Sequence, residues 1–121
     1  MYDGGNQNRC FTYIDDAIDG LILAGSHNNA IGEAFNIGNQ VPTKISDVIM
    51  ISLELINSKI KVNKVDTQKK YGSTYQDISY RIPDSSKAEQ LLNWKAKIQI
   101  REGISKILDW INLNPWYLDK N

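Results

Sequence analysis

Arg9-Cys10-Phe11-Thr12-Tyr13-Ile14-Asp15-Asp16-Ala17 passes from strand-forming to helix-starting residues within a few positions. Phe11 to Ile14 are aromatic or β-branched at all four positions, which predicts a short strand. Asp15 and Asp16 then supply an N-cap and a negatively charged first turn. Ala17, Ile18, Leu21 and Ile22 follow at helical spacing and predict one apolar helix face. Gly25-Ser26-His27-Asn28-Asn29 ends that helix.

Downstream the alternation continues. Ala34-Phe35-Asn36-Ile37 predicts a second short strand, closed by Gly38-Asn39. Pro42-Thr43 predicts a helix start, with Ile45, Val48, Ile49, Ser52 and Ile56 along one face. Ile60-Lys61-Val62-Asn63-Lys64-Val65 alternates apolar and polar residues, the clearest strand pattern in the chain. From Asp66 to Ser79 no period stands out. Tyr71, Tyr75 and Tyr80 punctuate this glycine- and serine-containing stretch, which fits either a ligand wall or a loop pinned by amphipathic rings. Pro83-Asp84-Ser85 opens a short helix with Ala88, Leu91 and Leu92 inward, and Trp94 packs after it. Ile100, Ile104, Ile107, Leu108 and Ile111 mark the last helix, which Asn114-Pro115 stops. Two of the three predicted strands, at Phe11 and Phe35, have no evident strand partner. That predicts a chain whose sheet is completed by something else.

The chain has 121 residues, 41% of them hydrophobic, enough for one small core and one region spanning residues 1–121. Fourteen basic and fourteen acidic side chains cancel, which argues against nucleic acid or an anionic membrane as partner. Cys10 is the only cysteine, so no disulfide forms within the chain. No apolar run approaches the roughly 20 residues of a membrane helix. The polar amino terminus shows no signal-peptide pattern, so the expected location is cytoplasmic. With eleven lysines and three arginines, lysine supplies the generic surface charge. Arg9, Arg81 and Arg101 therefore stand out as candidate forked donors for phosphate or carboxylate, the plain alternative for each being a surface ion pair. No glycine-rich strand-to-helix fingerprint, phosphate loop or metal-ligand cluster is present.

Three segments in order resemble one family. Arg9-Cys10-Phe11-Thr12-Tyr13-Ile14-Asp15-Asp16, Gly32-Glu33-Ala34-Phe35-Asn36-Ile37-Gly38, and Pro83-Asp84-Ser85-Ser86-Lys87-Ala88 with Leu91-Leu92-Asn93-Trp94 are similar to motifs of extended short-chain dehydrogenases acting on nucleotide sugars. Tyr75-Gln76-Asp77 with Arg81 and Pro83 resembles the bacterial UDP-glucuronate decarboxylases among them. The resemblance implies an α/β chain, mostly helical with a few short strands. It corresponds to the carboxy-terminal, substrate-binding portion of a Rossmann-type fold, with the cofactor-binding half absent.

It also implies roles. The loop carrying Asp3, Gly4, Gly5, Gln7 and Arg9 would embrace the UDP part of a UDP-sugar. Tyr75 would contact the nucleotide. Arg81 would contact the sugar and act in catalysis, where the family assigns it as a proton donor. A guanidinium keeps its proton to a pH above about 12, so electrostatic stabilisation of developing charge is the simpler role. The implied cofactor is NAD in the full-length enzyme, with none bound by this chain alone. The implied partners are the Rossmann half of the same enzyme and a second copy in a homodimer. A UDP-sugar 4-epimerase, a dehydratase, or a non-catalytic module pairing with a separate Rossmann half remain the alternatives. Two positions depart from the family pattern. Gln99 replaces the usual capping Ser or Thr before the last helix, and Asn93 replaces the glycine before Trp94.

Overall fold

The structure is a computed structural model that describes residues 1–72, 78 and 80–120. Its only two-stranded ladder among those residues joins β1 (Asn8–Cys10) to β2 (Pro42–Lys44) in antiparallel register, Arg9 opposite Thr43. The helices are α1 (Ile14–Ser26), α2 (Ile45–Leu55), α3 (Thr67–Tyr71), α4 (Ser86–Leu92) and α5 (Ile100–Leu113). The fold is a mostly helical α/β arrangement, as the motifs imply.

The helices at α1, α2, α4 and α5 sit where the apolar periods place them; the strands do not. Residues 11–13 form no ladder. Instead the Asn39 backbone N–H donates to the Thr12 hydroxyl (2.9 Å), and the Asn39 side-chain amide donates to the Phe11 carbonyl (3.2 Å). A buried Asn39 thus takes the place of a strand partner. Residues 34–37 form no strand, and they join no ladder among the described residues. In the 60–65 stretch only Val65 pairs, through a parallel bridge to Tyr2. The Val65 N–H donates to the Met1 carbonyl (2.8 Å), and the Asp3 N–H donates to Val65 (2.9 Å). Pro42 and Thr43 belong to β2, so α2 starts only at Ile45. Pro42 faces no donor requirement at this ladder end.

Asp16 corrects the sequence reading most clearly. α1 is preceded by Tyr13 and has no side-chain cap. Asp16 is buried, and its carboxylate accepts the backbone N–H groups of Lys97 (3.0 Å) and Ile98 (2.9 Å). The Asp16 carbonyl accepts the Trp94 indole N–H (2.9 Å). One residue of α1 therefore holds the whole 94–98 connection ahead of α5. Removing a buried charged acceptor that serves two part-buried donors costs about 1.5–3 kcal/mol.

The core is small: Ala30, Ala88, Leu92 and Trp94, ringed by Leu23, Ala24, Phe35, Ile37 and Ala96. Gly20 makes it possible. A Cβ there would lie 2.5 Å from Ile37 and 2.9 Å from the Trp94 ring. α4 ends with Asn93 in the left-handed region, φ 51°, a conformation that costs most other residues about 1–2 kcal/mol. This turn delivers Trp94 into the core, its N–H donating to the Ala88 carbonyl (3.2 Å). α5 packs on α2, and Gly103 lets it approach the Tyr13 ring.

Candidate functional site

The sequence Asp3-Gly4-Gly5 puts three consecutive residues at positive φ: 45°, 70° and 69°. Glycine adopts such angles at little cost. At Gly5 a side chain is also excluded by space, because a Cβ would come within 2.7 Å of the Ser46 backbone nitrogen. The turn therefore lies against the first turn of α2 and feeds β1. The Gln7 carbonyl accepts the Ile45 N–H (3.1 Å), which fixes β1 beside the start of that helix.

Asp3 points away from the turn toward α3. Its carboxylate accepts the Thr67 backbone N–H (2.9 Å) and the Thr67 hydroxyl. These two donors hold the Asp3 carboxyl below the usual carboxylate range. Thr67 is buried, and Asp66 caps α3 by accepting the Lys69 N–H (3.1 Å). Asp3 thus ties α3 to the glycine turn.

Between these elements opens a cleft of about 560 Å³, lined by Met1, Tyr2, Gln7, Arg9, Ile45, Thr67 and Tyr71. Arg9 is half-buried, and its Nη1 donates to the carbonyls of Asn8 (2.8 Å) and Ile78 (2.9 Å). The guanidinium therefore both walls the cleft and holds the Ile78 carbonyl. Opposite it, the Tyr2 and Tyr71 hydroxyls meet at 3.2 Å, and the Lys70 ammonium donates to Tyr2 (3.4 Å). Lys70 also lies 5.5 Å from the Tyr2 ring centre and 5.3 Å from that of Tyr71. The Tyr71 hydroxyl first, and the Lys70 charge after it, lower the Tyr2 phenol pKa. The same contacts raise that of Lys70. A guanidinium, an amide and a pair of aromatic rings around one opening suit a ligand with an anionic part and a planar or apolar part.

Of the residues singled out from the sequence, Gln7 and Arg9 line this cleft; Asp3, Gly4 and Gly5 do not, although Asp3 bonds the lining residue Thr67. Arg81 is exposed and is not among the described residues lining it. Tyr75, with Gln76 and Asp77, lies outside the described residues. Tyr2, Thr67, Lys70 and Tyr71 went unrecognised as a group. The one local signal was Asp66-Thr67, a capping pair ahead of a short helix. Their meeting with Tyr2 is nonlocal.

The chain's glycine turn leads into a strand, whereas a dinucleotide fingerprint leads from a strand into a helix. The glycine turn is therefore not a dinucleotide fingerprint. Among the described residues no three His, Cys, Asp or Glu side chains are placed to hold a metal ion, and no helix is long and apolar enough to cross a membrane.

Residues 1–107 match the GDP-mannose 4,6-dehydratase family. Several solved structures share the fold. The UDP-glucuronic acid 4-epimerase of Bacillus cereus, solved with UDP-glucuronic acid and NAD, is 29% identical over 94% of this chain and 35% of its own, with a TM-score of 0.77. WbmF of Bordetella bronchiseptica, solved with NAD+ and UDP, is 22% identical over 98% of this chain and 33% of its own, TM-score 0.77. The UDP-glucose 4-epimerase of Thermotoga maritima, solved with UDP-glucose, is 22% identical over 94% of this chain and 34% of its own, TM-score 0.77. The chain thus spans about a third of the length of these relatives. With its family match running through most of its length and its fold shared with these enzymes, the chain belongs to the GDP-mannose 4,6-dehydratase family of NAD-dependent epimerases and dehydratases.

Proposed function

We propose that this chain is the nucleotide-sugar-gripping part of an NAD-dependent enzyme that modifies UDP-sugars, most like a UDP-glucuronate decarboxylase. The observation that carries the reading is the cleft in which Gln7 and Arg9 follow a left-handed glycine turn and face a tyrosine pair. A forked guanidinium beside an open backbone turn suits a diphosphate. Tyr2 and Tyr71 offer faces to the planar base. Gly4 and Gly5 let the backbone approach the phosphates, while Asp3 positions the wall opposite.

Arg81 and Tyr75 are proposed to reach the sugar and the nucleotide once the ligand and the rest of the fold are in place. NAD would be held by the remainder of the full-length enzyme, as would most of the catalytic machinery. A homodimer in the cytoplasm is the expected state of that enzyme. The 29% identity to a UDP-glucuronic acid 4-epimerase favours the same sugar acid, and keeps 4-epimerisation as the second reading.

Calorimetric titration of UDP-glucuronate tests this, with the chain joined to a cofactor half. Saturable heat is expected, and Arg9→Ala is expected to weaken affinity at least tenfold, the loss of one charge-assisted pair of bonds of about 1.5–3 kcal/mol. No heat, or binding untouched by Arg9→Ala, rules the proposal out.

A further inference from the structure

Resting on that reading, we infer that Lys70 sets the base specificity of the cleft. By donating into the Tyr2–Tyr71 hydroxyl pair it makes that wall a hydrogen-bond donor. The cleft then selects a nucleotide whose base presents a keto oxygen over one that presents an amino group in its place. The three side chains come from two parts of the chain. Tyr2 precedes the glycine turn, and Lys70 and Tyr71 are the last two residues of α3. The Asp3–Thr67 bonds and the bridge of Tyr2 to Val65 hold those parts together. There the Tyr2 and Tyr71 hydroxyl oxygens lie 3.2 Å apart, and the Lys70 Nζ lies 3.4 Å from that of Tyr2. Both tyrosines line the cleft with Gln7 and Arg9.

The direction of the bonds follows from counting hydrogens. An ammonium has only hydrogens to give and no lone pair, whereas a phenol hydroxyl gives one hydrogen and accepts through its oxygen. Lys70 therefore fills an acceptor position on Tyr2 and takes nothing back. One phenol hydrogen lies in the Tyr2–Tyr71 bond, whichever ring supplies it, and the other stays with the pair to be given. A donor feeding one end of such a chain strengthens the next bond along it. Lys70 is held over the pair, 5.5 Å from the Tyr2 ring centre and 5.3 Å from that of Tyr71. Its neighbour Lys69 reaches Asp66 instead, at 4.0 Å. The two phenols, Tyr2 foremost, raise the Lys70 pKa, so the ammonium remains a donor across the neutral range.

Arg9 lies on the other wall and suits the phosphates, which leaves the base to the tyrosine side. Uracil and thymine carry an acceptor oxygen where cytosine carries an amino donor. A keto oxygen receives the hydrogen that the wall offers; an amino group meets it donor to donor. A site built around a hydrogen bond rejects a ligand that cannot complete it more strongly than an apolar pocket does. With Lys70 removed, the freed lone pair of Tyr2 lets the pair accept as well as donate, and the distinction fades. Lys70 is not among the described residues lining the cleft. It acts through Tyr2, as a positioning residue.

The test is calorimetric titration of UDP and of CDP into the chain joined to a cofactor half. UDP is expected to bind about tenfold more tightly than CDP. Lys70→Met is expected to shrink that ratio by about threefold or more, weakening UDP and sparing CDP. Any preference contributed by the cofactor half is common to every variant and leaves this change intact. Lys70→Arg keeps a cation that only donates and is expected to retain the preference. In Tyr2→Phe, adding Lys70→Met is expected to change the ratio no further. Affinity for both nucleotides lost by the same factor in Lys70→Met overturns the inference, since attraction of the charge to phosphate would do that alone. A ratio unchanged in Lys70→Met, or equal binding of UDP and CDP before any substitution, overturns it too. In each of these cases the wider reading stands if Arg9→Ala still weakens UDP. Binding of neither nucleotide sinks both.

Discussion

At the scale of single residues, the cleft is held by polar contacts that titrate. Asp3 has a depressed carboxyl pKa because the Thr67 hydroxyl and amide donate to it. Its folded value lies below its unfolded one. The stability it contributes is complete above the ordinary carboxylate range and is lost as pH falls through the folded value. Thermal melts across acidic pH should therefore show a decline that Thr67→Val flattens; an identical decline in the variant would assign the acid sensitivity elsewhere. On the alkaline side, Tyr2 is expected to form phenolate at a lower pH than an ordinary tyrosine does. Ultraviolet titration should show that early component move to higher pH in Tyr71→Phe, and also in Lys70→Met, since both partners favour the charged phenolate. An unmoved component in both variants would mean the hydroxyls do not meet in solution.

The elements differ in how well their ends are made. α3 has an Asp66 cap, and α4 ends on a left-handed asparagine that suits its position. α5 begins at Gln99, whose side chain makes no capping bond. The helix holds through its apolar face on α2 rather than through its start. Gln99→Ser is expected to raise stability by about 1 kcal/mol, read as a higher denaturation midpoint with an unchanged slope. A lower midpoint would show that Gln99 packs in a way that outweighs capping. The element record also marks where sequence was legible. Ile100, Ile104 and Ile111 located α5, and the aspartates flagged the start of α1. The same aspartates misled about mechanism, because Asp16 serves Lys97 and Ile98, far along the chain.

The whole molecule turns on one crossing, where α1, Ile37 and Trp94 meet at Gly20. Gly20→Ala gains up to about 1 kcal/mol of helix propensity. Yet its Cβ would overlap Ile37 and the indole, an overpacking cost of about 1–3 kcal/mol. The net expectation is destabilisation with a shift in Trp94 fluorescence; a stabilised variant would show that the crossing is loose. The candidate site follows the same logic. Arg9 was readable because a rare arginine follows a glycine turn, and Gln7 only through the family resemblance. Tyr2, Thr67 and Tyr71 were not, because nonlocal contacts, the Tyr2–Val65 bridge and the Asp3–Thr67 bonds, bring α3 against the amino terminus.

The amino-acid sequence alone determined what depends on neighbours along the chain: four helices, the glycine turn, and the ordered motifs that mark the family. Tertiary structure decided what depends on distant partners. It paired residues 8–10 with 42–44, gave Asp16 a role far from its own helix end, and assembled the cleft. Helix periodicity is a local property, since each backbone bond closes within four residues. A strand's pairing and a carboxylate's use are settled only by what the fold places beside them.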